Sequence, residues 1–151
     1  MRLLLMVLIP GLAGAELLRI EMGFGGMECA SCTEFIESRM SRNRNVQSVR
    51  VDKEKGILRL ELKPENKMRL EQVRDLVQQS GFTPKAATVE ARGIVQPDGF
   101  LIPETGQEFK ARDPHHLLKA LTGKRARLEA DVETQPGRSS LLIIKKAAAA
   151  E

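Results

Sequence analysis

The chain has 151 residues, with 24 lysines and arginines against 20 aspartates and glutamates and a formal net charge of +4. This length allows one domain or two small ones, each with enough apolar residues for a core. The positive excess is small and spread out, since nine basic residues stand against eight acidic ones after residue 92. The chain also has no tryptophan or tyrosine, so it offers few side chains on which bases could stack. Composition therefore argues against a nucleic-acid partner.

The first fifteen residues have the pattern of a secretory signal peptide. Met1 and Arg2 form a positive end, residues 3–9 are apolar, and Ala13-Gly14-Ala15 is a small-x-small cleavage motif before Glu16. The apolar stretch is shorter than the roughly 20 residues that span a bilayer, so we expect no stable membrane insertion after cleavage. The sequence predicts a signal peptide at 1–15 and a periplasmic or secreted protein. The alternatives are an uncleaved N-terminal anchor and a wrongly chosen start codon.

Between residues 16 and 92 the apolar pattern alternates between strands and one-sided helices. The predicted elements are strand 17–24, helix 31–40, strands 46–52 and 56–62, helix 68–80, and a last strand after the turn Gly81-Phe82. The apolar face of the first helix is predicted from Cys32, Phe35, Ile36 and Met40. Two such helices on one face of a four-stranded antiparallel sheet bury every apolar stripe. The sequence therefore predicts an α+β sandwich of order β-α-β-β-α-β.

The two cysteines of the chain, Cys29 and Cys32, lie in one loop where the first strand leads into the first helix. This spacing at a helix start puts one sulfur in the loop and the other in the first turn, close enough to bind one ion or to form one disulfide. The positive end of the helix dipole lowers the pKa of a thiol at this position. By itself, a Cys-x-x-Cys pair indicates a metal site, a redox pair or a structural disulfide.

The loop Gly26-Met27-x-Cys29-x-x-Cys32 and the element order from about Leu17 to about Arg92 resemble the heavy-metal-associated domain. This family includes copper chaperones, soluble domains of copper-transporting ATPases and periplasmic mercury-binding proteins. The resemblance implies a ferredoxin-like fold for residues 16–92, with Cys29 and Cys32 as the metal ligands. It also implies that Met27 points inward to support the loop, and that Phe82 takes the aromatic position in the loop that approaches the metal.

Two positions qualify the resemblance. Glu28 stands where the family usually has threonine or histidine, and a carboxylate there would disfavour the thiolates unless it is simply a solvated loop residue. Phe82 stands where soluble copper chaperones have lysine, which implies no positive charge near the sulfurs. The same position of Phe82 is also explained by a glycine that ends the helix, with an apolar contact behind it.

Two thiolates without a histidine or carboxylate at matching spacing suit a soft ion of low coordination number. We therefore expect Cu(I) first, with Hg(II) or another thiophilic ion as the alternative, because zinc normally takes four ligands. An exposed two-sulfur site also accepts a thiol from another protein, so the ion can pass by ligand exchange to a donor or acceptor such as a metal transporter. In an oxidising compartment the pair must be kept reduced or loaded beforehand.

After residue 92 the pattern changes to short strands broken by glycine and proline turns. The predicted strands are 94–95, 100–102, 108–110, 125–133 and 141–145. One helix is predicted from Pro114 to Leu121, with Asp113 as its N-cap and Gly123 after its end. This segment loosely resembles small OB-like β-barrels of exported bacterial proteins, so we predict such a domain at 93–147 and a frayed tail at 148–151. His115 and His116 are adjacent and are expected to be solvated rather than a metal site.

These observations together predict an exported, non-enzymatic protein that binds a soft metal ion between Cys29 and Cys32. The second domain would dock a partner or steady the first. Two other classes stay open, namely a thiol-disulfide redox protein, and a structural or adaptor module whose cysteines form a disulfide. A redox protein usually has a thioredoxin-like frame, a cis-proline and a tryptophan before the motif, and none of these is visible.

Overall fold

The computed structural model describes residues 14–26, 31–133 and 140–150. The elements in chain order are strand β1 Glu16–Gly25, helix α1 Cys32–Ser41, strands β2 Val46–Asp52 and β3 Ile57–Leu62, helix α2 Leu70–Gln79, and strands β4 Thr83–Gln96, β5 Gly99–Ile102, β6 Gln107–Arg112, β7 Arg125–Glu133 and β8 Leu141–Ala149. A single 3₁₀ turn at Lys119–Leu121 precedes β7. In the part of the chain that the structure describes, none of the helices is long and apolar enough to cross a membrane.

The first half of the chain forms the predicted β-α-β-β-α-β arrangement. Its four strands lie in the order β2-β3-β1-β4, and each pair of neighbours is antiparallel. The core between this sheet and the two helices consists of buried apolar side chains. These include Ile20, Met22, Ile36, Met40, Leu58, Leu60, Leu70, Val73 and Val77. The alternation of apolar and polar residues that predicted the strands thus separates a covered face from a solvent face.

The predicted apolar face of α1 was wrong at one position. Phe35 is 54% exposed, whereas Thr33, Ile36 and Met40 are buried against the sheet. Residues 33, 36 and 40 follow the i, i+3, i+7 spacing of one helix face. The small polar Thr33 therefore takes a core position, and the face turns away from Phe35.

Strand β4 belongs to both halves of the chain. One edge of β4 pairs with β1 as far as Arg92 and then with β5 from Ile94. The other edge pairs with β7 from Ala87 to Ile94. Residues 92 and 93, where we predicted the boundary between two domains, lie inside this strand. Gly93 sits at the change of partner, and a Cβ there would lie 2.4 Å from the Leu101 carbonyl oxygen and 2.7 Å from a carbon of the Phe100 ring.

The second half is a small barrel-like sheet of five strands. They pair in the order β4-β5-β6-β8-β7, and β7 returns to pair with β4. The pairing between β6 and β8 is parallel and the other four are antiparallel. Its interior is filled by Val95, Phe100, Ile102, Phe109, Ala126, Leu128, Val132, Leu142 and Ile144.

The helix predicted from Pro114 to Leu121 is shorter in the structure. Only Lys119–Leu121 is helical, and His116 has a φ of 55°, which interrupts a right-handed helix. Asp113 nevertheless caps the segment, because its carboxylate accepts hydrogen bonds from the backbone N–H groups of Leu117 at 2.9 Å and Leu118 at 2.7 Å.

The frayed end predicted at 148–151 does not match the structure either. Strand β8 continues to Ala149, with Ala148 opposite Arg127 and Ala149 opposite Ala126. The backbone N–H of Ala150 also donates to the Arg125 carbonyl. Strand pairing uses the backbone, so a run of alanines can join a sheet without a side-chain signal. Glu151 lies outside the described residues.

Candidate metal-binding site

The cysteine motif lies where β1 leads into α1, as predicted. Cys32 is the first residue of α1 and is partly buried. It is disulfide-bonded, and Cys29 is the other cysteine of the chain. Residues 27–30, which include Met27, Glu28 and Cys29, lie outside the described residues. The assignment of Cys29 and Cys32 as metal ligands therefore stays a prediction, and the thiol chemistry of this site requires prior reduction.

The strand that leads into the motif is held by a close backbone contact. The Phe24 N–H donates a hydrogen bond of 2.8 Å to the carbonyl oxygen of Gly56, in the turn between β2 and β3. Gly56 has a φ of 63°, and a Cβ there would lie 2.6 Å from the Phe24 carbonyl oxygen. A glycine is required at this position because other residues rarely adopt such a φ and would collide with the strand.

Phe82 lies at the same end of the sheet. It is buried, and its ring packs edge-to-face on Phe24 with 5.0 Å between the ring centroids. The Phe82 N–H donates to the Val77 carbonyl, and Gly81 has a φ of 90° just after α2. This is the helix-ending glycine followed by an apolar contact that the sequence indicated. Phe82 thus supports the end of β1 from the helix side of the sheet.

The sequence did not single out Lys85, whose side chain lies along the outer face of β1. A Cβ placed on Gly23 would be 3.3 Å from Lys85 Cβ. A Cβ placed on Gly25 would be 2.8 Å from Lys85 Cε and 3.2 Å from its Nζ. The side chain therefore runs toward the end of β1 from which the cysteine loop departs. No sequence signal identifies this contact, because it depends on the register between β1 and β4.

On β1, the acidic residue Glu21 pairs with an arginine of β3. Glu21 accepts a hydrogen bond of 2.8 Å from Arg59 Nε, and this bond together with the negative charge of Glu21 raises the pKa of Arg59. On the same face, Arg19 pairs with Glu61 at 2.6 Å, which raises the pKa of Arg19 in the same way. These two ion pairs link β1 to β3 across the solvent face of the sheet.

The other metal-binding candidates of the sequence do not form a site. His115 and His116 are both exposed. Across residues 14–26, 31–133 and 140–150, no three histidine, cysteine, aspartate or glutamate side chains are grouped so that they could hold a metal ion.

Comparison with known proteins gives a family match over the first half of the chain. The model of the family described as "Heavy-metal-associated domain" matches residues 24–83, which lie inside the predicted 16–92. No curated protein matches the chain.

Several solved structures resemble part of the chain. One is the yeast copper transporter domain Ccc2a, with 15% identity and a TM-score of 0.40 over 45% of this chain and 92% of that one. Another is the metallochaperone CopZ, with 22% identity and a TM-score of 0.41 over 44% of this chain and 98% of that one. A third is the N-terminal domain of a potential copper-translocating P-type ATPase from Bacillus subtilis, with 24% identity and a TM-score of 0.41 over 47% of this chain and 85% of that one.

Proposed function

Residues 24–83 are a heavy-metal-associated domain, and from this premise we propose that the protein binds one soft metal ion between Cys29 and Cys32 and passes it to a partner. The observation that carries the proposal is that the family match spans the only two cysteines of the chain, one of which begins α1. A thiol at the start of a helix meets the positive end of the helix dipole, which favours the thiolate.

Sulfur ligands favour soft ions, so Cu(I) is the first candidate cargo and Hg(II) is the second. Nothing in the described part of the chain offers the further ligands that zinc normally requires. A two-coordinate ion leaves room for an incoming thiol. Transfer then proceeds by ligand exchange, in which a thiolate of the partner binds the ion before a cysteine of this chain leaves. The partner would be a metal transporter or another donor or acceptor with exposed thiols.

The disulfide at Cys32 makes metal binding conditional on reduction. A dithiol reductant breaks the S–S bond, is itself oxidised to a disulfide, and leaves two cysteine thiols. Each thiol then loses its proton as the metal binds, because the thiolate is the ligand. If residues 1–15 are a cleaved signal peptide, as we propose, the protein works in an oxidising compartment and needs such a reductant or loading before export.

For the second half of the chain we propose an OB-like barrel that steadies the metal-binding domain. The parallel pairing of β6 with β8 and the return of β7 to β4 support this topology. The contacts with α2 support the steadying role. Gln107 Oε1 accepts a hydrogen bond of 3.1 Å from the Leu70 N–H, and the Arg69 guanidinium donates to the Thr105 carbonyl. We propose no catalytic role for either half.

A second candidate function is a structural or adaptor module, and the disulfide at Cys32 favours it. In that case the bond stabilises the loop and the protein takes up no metal after reduction. The two functions differ in the response of the reduced protein to Cu(I).

The test is an anaerobic titration of the reduced protein with Cu(I) in competition with a chelator. We expect binding of about one equivalent, lost in the variant with Cys29→Ser and Cys32→Ser, because one pair of thiolates holds one ion. The same titration without reduction is the control and should show no uptake. Equal uptake by the wild type and the double variant would refute the site. No uptake by the reduced wild type would favour the structural module.

A further inference from the structure

The chain enters β1 through a pocket that contains several carboxylates. The pocket is lined by residues 14–16, residues 65–67 and Glu104. The backbone N–H of Ala15 donates a hydrogen bond of 3.0 Å to Glu104 Oε1. A Cβ placed on Gly14 would lie 3.9 Å from the same oxygen and 4.0 Å from Glu16 Oε2. Two carboxylates therefore converge on Gly14, the first residue that the structure describes.

The charges around this pocket do not balance. Glu16 is compensated by Arg92, whose guanidinium lies 3.0 Å from its carboxylate. Glu65 and Glu104 are also in the lining, and Lys67 is the one basic side chain among the described lining residues. Glu104 forms no ion pair within the described part of the chain, and its hydrogen-bond donor is a neutral backbone N–H. One negative charge is left without a countercharge at the start of β1.

The sequence before Gly14 allows two cuts by a signal peptidase. Such an enzyme requires small residues at the first and third positions before the cut. The segment Gly11-x-Ala13 meets this requirement as well as Ala13-x-Ala15 does. A cut after Ala13 makes Gly14 the first residue, and its amino group is then largely an ammonium at neutral pH.

The structure favours the earlier cut, because Ala15 is part of the fold. Ala15 is 2% exposed and belongs to the apolar core. A cut after Ala15 would remove this side chain together with the hydrogen bond to Glu104, whereas a cut after Ala13 keeps both. The nitrogen of Gly14 is bonded to the same Cα as the Cβ placed there, so it lies within about 6.5 Å of both carboxylate oxygens. Rotation at the free end of the chain brings it closer.

We propose that residues 1–13 are removed and that the ammonium of Gly14 binds in this pocket between Glu16 and Glu104. The inference rests on the proposed export of the chain but not on metal binding. It places the end of the signal peptide two residues before the position predicted from the sequence. Hydrolysis of the bond between Ala13 and Gly14 consumes one water and leaves a carboxylate on the signal peptide and an ammonium on the mature chain. The ammonium then ties the start of β1 to the loop between β5 and β6.

The position of the cut is tested by mass spectrometry. The full chain is expressed in a bacterium that exports proteins, and the intact mass of the purified protein is measured. We expect a chain that begins at Gly14. Any other first residue, including Glu16 or the unprocessed Met1, would overturn the inference. The Cu(I) titration of the proposed function depends on the two cysteines, so the two proposals can fail separately.

The ammonium pocket is tested by Glu104→Gln, which keeps an oxygen acceptor for the Ala15 N–H but removes the charge. The substitution is made in a chain that begins at Gly14 and in one that keeps Leu12 and Ala13 ahead of it, which moves the ammonium away from the pocket. In the first chain we expect Tm to fall by about 2–4 °C, as for the loss of one partly exposed ion pair. In the extended chain the fall should be less than about 1 °C.

Glu108→Gln is the matched control, because it removes the same charge from an exposed position of β6. It should change Tm by less than about 1 °C in both chains. Equal shifts for Glu104→Gln in the two chains would mean that Glu104 acts only through the neutral N–H of Ala15. That result would overturn the ammonium pocket even if the mature chain begins at Gly14.

Discussion

Gln107 of β6 caps the first residue of α2, because its side-chain Oε1 accepts a 3.1 Å hydrogen bond from the backbone N–H of Leu70. The N–H groups in the first turn of a helix have no partner within the helix itself. Both residues are buried, so water does not replace this bond. A side chain of the barrel thus caps a helix of the first half of the chain, 37 residues earlier in the sequence.

Replacing Gln107 by alanine should therefore destabilise both halves together. We expect Gln107→Ala to lower the free energy of unfolding by about 1–3 kcal/mol, because a buried N–H loses its acceptor. Urea denaturation followed by circular dichroism measures the change. Gln47→Ala, at an exposed position of β2, is the control and should stay within about 0.5 kcal/mol. Equal effects of the two substitutions would mean that the contact with α2 contributes nothing.

A side chain at Gly93 is predicted to destabilise the protein. In Gly93→Ala the new methyl would lie 2.4 Å from a backbone oxygen and 2.7 Å from the Phe100 ring, so β4 or β5 must shift. We expect the free energy of unfolding, measured by urea denaturation, to fall by about 1–3 kcal/mol, as at other overpacked sites. Gly106→Ala is the comparison, since a Cβ there meets nothing within 4 Å and only its φ of 67° is unfavourable. A smaller loss in Gly93→Ala than in Gly106→Ala would contradict the close packing at the junction.

The corrected face of α1 is tested by two neighbouring residues. Ile36 is fully buried and Phe35 is 54% exposed. Ile36→Ala should lower the free energy of unfolding by about 2–5 kcal/mol, because it leaves a cavity in the core. Phe35→Ala should cost less than about 1 kcal/mol, because its ring is largely in water. Thermal unfolding of the two variants under identical conditions gives the comparison, and the reverse order would restore the face predicted from the sequence.

Two glutamates that pair with arginine should differ in their effect on stability because they differ in burial. Glu16 is 3% exposed at its side chain and contacts Arg92 at 3.0 Å, whereas Glu61 is 48% exposed and contacts Arg19 at 2.6 Å. We expect Glu16→Ala to lower the free energy of unfolding by about 3–5 kcal/mol. The substitution leaves the Arg92 charge without its partner and the Glu65 N–H without its acceptor. Glu61→Ala should cost about 1 kcal/mol or less. Chemical denaturation measures both, and similar losses would show that burial of Glu16 is unimportant.

The sequence was most reliable where the alternation of apolar and polar residues is long. Strands β2 and β7 begin and end at the predicted residues, 46–52 and 125–133, because a half-covered sheet imposes a period of two. It was less reliable for α1, because a buried threonine cannot be told from an exposed one by its type. It was also wrong for 114–121, where good local helix signals meet a positive φ at His116.

The residues at the candidate site also differ in whether the sequence could predict them. Cys29 and Cys32 are recognisable in the sequence because their pairing is local, within four residues. Lys85 is not, because its position over Gly23 and Gly25 depends on strands 60 residues apart along the chain being in register.

The order of the elements, the sulfur pair and the loop that carries it were determined by the sequence alone, since each depends on neighbours within a few residues. The tertiary structure decided which side of α1 is covered, that one strand serves both halves, and which charged side chains of neighbouring strands pair. Those outcomes depend on pairings between distant segments. The periodic pattern of side chains within one segment does not identify the segment with which it pairs.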